Sequence, residues 1–243
     1  MSQSFARYTE TSVKAYQFNP KKNEIIDRKK EILDSIIDHY GSSPSSVLFY
    51  GFSPLMLGCN SKQIAVASIT SEIKTFLDTL SIKYSYIKEE DLTQYRKKFN
   101  WVIAGDEYFT FAQSEQEQMT KIQETCSLAQ DLMITTLKDY KNQDFRDREF
   151  SQPLAVHCQN NTKIFLENHD HDLTDRNSWQ TTVWELEKTK SNVYGPFARR
   201  SMYFKQMAKF SIDAGAKNFF VHKNLMYKSL IKKNYEHVIS ISF

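Results

Sequence analysis

Ser46-Val-Leu-Phe-Tyr50-Gly51 decides the fold. Five residues rich in β-formers follow the break at Ser42-Ser43-Pro44 and stop at a glycine, which predicts a short strand and then a tight turn. It is read as a buried strand. The glycine gives the turn a positive φ or lets another group approach the backbone closely. Only six glycines occur in 243 residues, so one placed directly after a buried strand asks for a reason.

Working outward, the same grammar recurs. Upstream, Ile25, Ile26, Lys29, Ile32, Leu33, Ile36 and Ile37 return every three to four residues and predict one amphipathic helix closing near Gly41. Downstream, Ile64 to Ala67, Tyr84 to Ile87, Trp101 to Ala104 and Leu132 to Thr136 read as strands. Between the fourth and fifth strands, Met119, Ile122, Cys126 and Ala129 share a helical face, started by the acidic segment Ser114-Glu-Gln-Glu117. Strands alternating with helices predict a parallel sheet. Next, Thr162 to Glu167 and Thr181 to Leu186 flank the polar stretch His169 to Asp175, the pattern of an inserted antiparallel hairpin. A helix from about Arg199 to Ala214, a strand Asn218 to His222, a short helical stretch and a last strand His237 to Phe243 complete the chain.

Composition sets the bounds. With 40% hydrophobic and 25% charged residues, 17 Phe, 13 Tyr and 3 Trp, the chain is an ordinary globular sequence with ample core. No apolar run approaches the roughly 18 residues of a membrane span, and the start, MSQSFARYTE, lacks a signal peptide's apolar middle. A cytoplasmic protein without a membrane partner is expected. Cys59, Cys126 and Cys158 have no CxxC or CxxH spacing, so reduced thiols are expected rather than a disulfide framework or a zinc site. A net charge of +3 does not mark a nucleic-acid binder.

Lys98-Phe-Asn-Trp-Val-Ile-Ala-Gly-Asp106-Glu107 and Ala214-Gly-Ala-Lys-Asn-Phe-Phe220 resemble the fourth-strand phrase and the phrase before the sixth strand in class I S-adenosylmethionine-dependent methyltransferases. The resemblance spans residues 46–243. It implies a Rossmann-like sheet of seven strands, mostly parallel with an antiparallel last strand, plus the N-terminal helix and the inserted hairpin. It also implies S-adenosylmethionine, or S-adenosylhomocysteine, at the first strand-to-helix turn. The division expected is one domain: a helical segment 1–45, a nucleotide-binding half 46–160, the hairpin 161–190 and a closing segment 191–243. The wording of 139–150 and 175–179 is also similar to methyltransferase-like proteins of marine tailed phages, which would place the protein in a host cytoplasm.

The resemblance departs at the glycine-rich turn. Phe49-Tyr50-Gly51-Phe52-Ser53-Pro54-Leu55 keeps only Gly51, and Phe52 and Pro54 either fill the cofactor's space or turn away from it. Ser68 stands where an acidic residue usually takes the ribose hydroxyls, and one hydroxyl cannot replace two charged acceptors. Glu72 lies one helical turn further on, and Glu89, Glu90 and Asp91 follow strand three as acceptors for the adenine amine. Gly51, Phe52, Ser53, Ser68, Glu90 and Asp106 are therefore the candidate cofactor residues, although Asp106 also suits a helix cap.

Glu107, Asp139, Tyr140, His169 and Arg176 are the candidate substrate residues. Asp139 and Tyr140 follow strand five directly, but they equally suit a surface turn. His169-Asp170-His171-Asp172, with Asp175 and Arg176, is read as the polar tip of a lid over the strand ends, walled by Trp179 and Trp184; a solvated turn is the alternative, and no metal is expected. The basic run Arg199, Arg200, Lys205, Lys209, Lys217, Lys223, Lys228, Lys232 and Lys233 makes nucleic acid a possible partner, not the favoured one. No Asn/Asp-Pro-Pro-Tyr/Phe and no Pro-Cys pair occurs, which disfavours amino-methylating and cytosine-C5 nucleic-acid enzymes. Two functions are expected from this pattern: a methyltransferase acting on a small molecule, or a catalytically inactive binding or scaffold module on the same fold. The space above Gly51 separates them.

Overall fold

The computed structural model describes residues 2–18, 22–80, 82–138, 150–157, 163–172, 174–175, 177–228 and 235–243. Helices α1 (Ser2–Phe18) and α2 (Lys22–Tyr40) lead into β1 (Ser46–Tyr50), β2 (Gln63–Ala67), α3 (Ser71–Asp78), β3 (Ser85–Tyr86), β4 (Phe99–Ala104), α4 (Asp106–Thr110), α5 (Glu115–Leu128) and β5 (Ala129–Lys138). Strands β6 (Phe150–His157), β7 (Lys163–His171), β8 (Ser178–Leu186) and β9 (Ser191–Arg200) follow, then α6 (Phe204–Asp213), β10 (Asn218–Lys228) and β11 (Tyr235–Ser242).

The large sheet has the order β10-β11-β5-β4-β1-β2-β3, with β1 to β5 parallel and β11 antiparallel to both neighbours. Strand β1 is central because all five of its side chains are apolar enough, or small enough, to be buried. Its alternate residues serve two cores: Leu48 joins Ile122, Cys126, Met207 and Phe210 of α5 and α6, while Val47 and Phe49 join Ile36, Ile73 and Leu77 of α2 and α3. Ser114 starts α5 as expected, its hydroxyl accepting from the Glu117 amide at 3.2 Å. The expected mostly parallel sheet with an antiparallel last strand is present.

The insertion is larger than one hairpin. It is a four-stranded antiparallel sheet, β6-β7-β8-β9, whose middle pair is the expected hairpin. The outer strands were missed because Phe150 to His157 and Ser191 to Arg200 are interrupted by Pro153 and Gly195-Pro196, which read as breakers. Arg199 and Arg200 end β9, so the helix expected from Arg199 begins only at Phe204. Residues 223–228, expected as a helical stretch, continue β10. A helix before the expected N-terminal one, α1, was also missed. It packs between the two sheets, against β6, β9 and α3.

Candidate functional site

In open parallel sheets ligands bind beyond the carboxyl ends of the strands, where the strand order reverses. Here that place lies between β1 and β4. Gly51, at φ +71°, turns the chain there, and its amide donates to the Ala67 carbonyl at 2.8 Å. A Cβ on Gly51 would meet Phe5 Cζ at 3.0 Å and Thr9 Oγ1 at 3.3 Å. Helix α1 thus lies directly on the turn. Phe5 is held there by edge contacts to Tyr108 and Phe111, with ring centres 5.2 and 5.9 Å away.

Helix α1 splits the crevice into two spaces. On one side is a cavity of about 230 Å³, lined by Thr9, Ser12 and Tyr16 of α1, Lys29 of α2, Phe52 to Leu55, Gly105, Glu107, Thr135 and Thr136. Burial raises the Tyr16 phenol above its ordinary pKa. On the other side is an open cleft of about 1090 Å³, lined by Arg7 and Glu10 of α1, Ser68 to Glu72, Tyr86, Lys88 to Glu90, and Val193 to Phe197 of β9.

The turn after Gly51 carries no α-helix. Pro54–Gly58 is a 3-10 turn, capped by Ser53, whose hydroxyl accepts from the Leu55 amide at 3.3 Å. Phe52 packs between Tyr16 and Phe76, with ring centres 5.4 and 5.3 Å away. Phe52 and Pro54 therefore form one wall of the small cavity, and the residue standing on Gly51 comes instead from α1.

Ser68 adopts φ +58°, and its hydroxyl donates to the Glu89 carboxylate. An acid thus reaches the end of β2 from the segment after β3. Glu90 lines the cleft but is exposed, 3.7 Å from Lys88. Beneath the site, Tyr50 and Tyr108 lie 4.3 Å apart between ring centres, and burial raises both phenols. Lys121, its pKa lowered chiefly by burial, donates to the Tyr108 carbonyl at 3.1 Å and to the Phe111 carbonyl, fixing the short helix that carries Glu107.

The inner face of the second sheet holds a buried polar cluster. Tyr8 donates to Glu167 at 2.8 Å, and the Arg199 guanidinium lies 3.5 Å from the same carboxylate oxygen. Arg199 also donates to Thr110 Oγ1 at 2.8 Å, with the rings of Phe111, Trp179 and Tyr8 around it at 5.0 to 5.4 Å. His169 Nδ1 meets Thr181 Oγ1 at 3.0 Å, and Nε2 lies 3.8 Å from Glu167.

Of the expected residues, the fold brings Phe52, Ser53 and Glu107 to the small cavity and Ser68 and Glu90 to the open cleft, while Gly51 lies under Phe5 and Thr9 of α1. Asp106 begins α4, and its side chain lies outside the described residues, as do Asp139, Tyr140 and Arg176. His169 is corrected: it is 4% exposed inside the sheet interface and lines neither space, because odd positions on β7, His169 among them, face inward.

The lid tip is corrected too. Asp172 accepts from the Thr174 amide at 2.7 Å, Arg200 pairs with Asp175 at 2.5 Å, and Tyr203 donates to Asn177 at 2.7 Å, so the tip docks beside the start of α6. Trp179 is buried beside Arg199, and Trp184 faces outward at 39% exposure, so they do not wall one pocket. Strand β9, rather than the hairpin tip, borders the open cleft. Phe5, Tyr8, Thr9, Ser12 and Tyr16, which reading the sequence missed, repeat at helical spacing, a signal that would have identified α1 and its inward face.

No family model and no curated protein matches the chain. Solved structures do. An S-adenosylmethionine-dependent methyltransferase of Clostridium acetobutylicum is similar with a TM-score of 0.66 at 8% identity, over 89% of this chain and 91% of that one. The CcbJ methyltransferase of Streptomyces caelestis gives 0.64 at 12%, over 88% and 93%. A sugar N-methyltransferase of a Streptoalloteichus species gives 0.62 at 8%, over 91% and 89%. The chain has the fold of S-adenosylmethionine-dependent methyltransferases along nearly its whole length. No helix among the described residues is long and apolar enough to cross a membrane.

Proposed function

We propose that the chain is an S-adenosylmethionine-dependent methyltransferase whose acceptor is a small polar molecule held in the cavity beneath α1. The observation that carries this is the position of that cavity, at the β1 and β4 strand ends where the sheet reverses direction, with Lys29 and Glu107 on its walls. At about 230 Å³ it lies below the usual range for drug-sized ligands and suits a small acceptor.

The crevice as arranged does not accept the whole cofactor. Ser68 and Glu89 offer a hydroxyl and a carboxylate to a ribose diol on one side, and Ser53, Gly105 and Glu107 offer polar groups on the other. Between them Phe5 closes the approach to Gly51. Entry therefore requires the first turns of α1 to move. When bound, the cofactor supplies an electrophilic methyl group. The chain's own part is to orient the acceptor through Lys29 and Glu107 and to exclude water behind Phe52 and Tyr16.

Calorimetric titration of the folded chain with S-adenosylhomocysteine, for the native sequence and for Phe5→Ala, tests the reading. Heat from Phe5→Ala supports it. Silence from both at millimolar ligand overturns it and leaves the second reading, a catalytically inactive binding module. The contact of Phe5 and Thr9 with Gly51, in a helix whose Phe5, Tyr8 and Val13 are buried like core residues, favours that second reading. Of the basic segment, Arg199 is buried and Arg200 is paired with Asp175, while Lys205, Lys209 and Lys217 are exposed.

A further inference from the structure

We infer that Glu167 is a positioning residue that, through Tyr8, holds the first turns of α1 on Gly51 and makes this helix an internal competitor for the place of the cofactor. The inference rests on the methyltransferase reading above. Three contacts meet in this segment. Phe5 and Thr9 occupy the approach to Gly51. Between these two in sequence, the Tyr8 hydroxyl donates at 2.8 Å to the carboxylate of Glu167, a residue 2% exposed. On the next turns, Lys14 donates to Tyr194 at 3.1 Å, and Tyr194 in turn donates to Glu185 at 2.6 Å on the same face of the second sheet.

Glu167 cannot drift from this position. Arg199 lies 3.5 Å from it and is itself anchored by Thr110 on α4, the helix that follows Gly105. The carboxylate therefore ties α1 to the sheet on one side and, through Arg199, to the floor of the site on the other. A helix held in this way occupies the crevice without a covalent link. A ligand that needs the same space binds only the fraction of molecules in which those turns have moved, so its apparent affinity falls by that fraction. Such a tether has an unusual sign: weakening it improves binding, whereas loss of a merely structural contact leaves binding unchanged or harms it.

The test uses the whole chain. Tyr8→Phe removes one hydroxyl and keeps the ring that packs on Phe111, so the fold is retained. Hydrogen exchange of the α1 amides is measured without ligand, and affinity for S-adenosylhomocysteine by calorimetry. Expected are faster exchange confined to α1 and affinity about tenfold tighter than the native chain, while Glu167→Gln, which keeps an acceptor for Tyr8, stays closer to native in both. Unchanged exchange in Tyr8→Phe overturns the tether. Equal or weaker affinity than a native chain that does bind overturns the competition alone. Failure of the native chain, Tyr8→Phe and Phe5→Ala all to bind overturns the competition together with the methyltransferase reading, so the two failures are distinguishable.

Discussion

The two sheets on either side of α1 are built from opposite materials. The parallel sheet buries apolar side chains on both faces, with β1 and most of β2 and β4 inaccessible to water. The antiparallel sheet turns Glu167, His169, Glu185, Thr181 and Arg199 inward beside Phe165, Val183 and Phe197. An apolar interior is stabilised by area and tolerates small changes of shape; a buried charged cluster holds only while every member keeps its partner. Both sides hold α1: Phe5 packs on Tyr108 and Phe111, while Tyr8 and Lys14 bond to Glu167 and Tyr194 of the second sheet.

The largest effect should come from breaking the charged cluster. Arg199→Leu leaves the Glu167 carboxylate buried without its cation and should cost about 3–5 kcal/mol in urea denaturation. Adding Glu167→Leu should return most of that loss. A deletion of similar bulk on the parallel side, Ile103→Val, should cost about 0.5–1.5 kcal/mol. Equal costs for Arg199→Leu and Ile103→Val would end the contrast between the sheets.

A smaller effect sharpens the comparison from within the apolar sheet, where His222 on β10 is a polar intrusion. Burial first, and then the neighbouring His39, lower its pKa from 6.5 to about 4, and its Nε2 meets Ser240 Oγ at 2.8 Å. The unfolded chain binds the proton more readily than the folded one across this window. His222 therefore contributes its full stability above pH 6.5 and loses it as pH falls towards 4. After allowance for partial solvation, the loss should be about 1–2 kcal/mol. Urea midpoints at pH 7 and pH 4.5 measure it, and His222→Gln should show a shallower slope between them.

Two controls lie at the bottom of the scale. Ser114→Ala removes the cap of α5 and should cost about 1 kcal/mol by the same denaturation. Lys88→Met breaks only an exposed pair with Glu90 and should stay within about 0.5 kcal/mol of the native chain. A larger loss from Lys88→Met would show that the cleft rim carries structural charge, and the contrast would then extend beyond the two sheets.

Much of the parallel sheet was legible because its signals are local. Ser46 to Tyr50 reads as a buried strand from composition alone, the acidic segment Ser114 to Glu117 reads as a helix start, and Gly51 sits where its φ is positive. The second sheet was half legible. Its middle hairpin carries alternation in β8, but β9 contains Gly195-Pro196 and a mainly exposed pattern, so it resembled a connection. His169 looked like a solvated tip because neighbouring Asp and His residues suggested exposure; period-two alternation instead pairs it with Thr181 on the inward face.

The site divides in the same way. Phe52 and Ser53 follow β1 and Glu107 follows β4, so each stands directly after a strand that was legible. The partners that complete the site are distant in sequence. Glu89 reaches Ser68 from 21 residues away, and Tyr8 meets Glu167 across 159.

By itself the sequence determined the class of sheet, the succession of its strands along the chain and the turn at Gly51, because burial on both faces and a positive φ are properties of short segments. Only the tertiary structure decided what stands on that turn. Nothing local distinguishes Phe5 on an amphipathic helix from any other core aromatic. Its position over Gly51 follows from the wedging of α1 between two sheets and from the bonds that tie α1 to the far one.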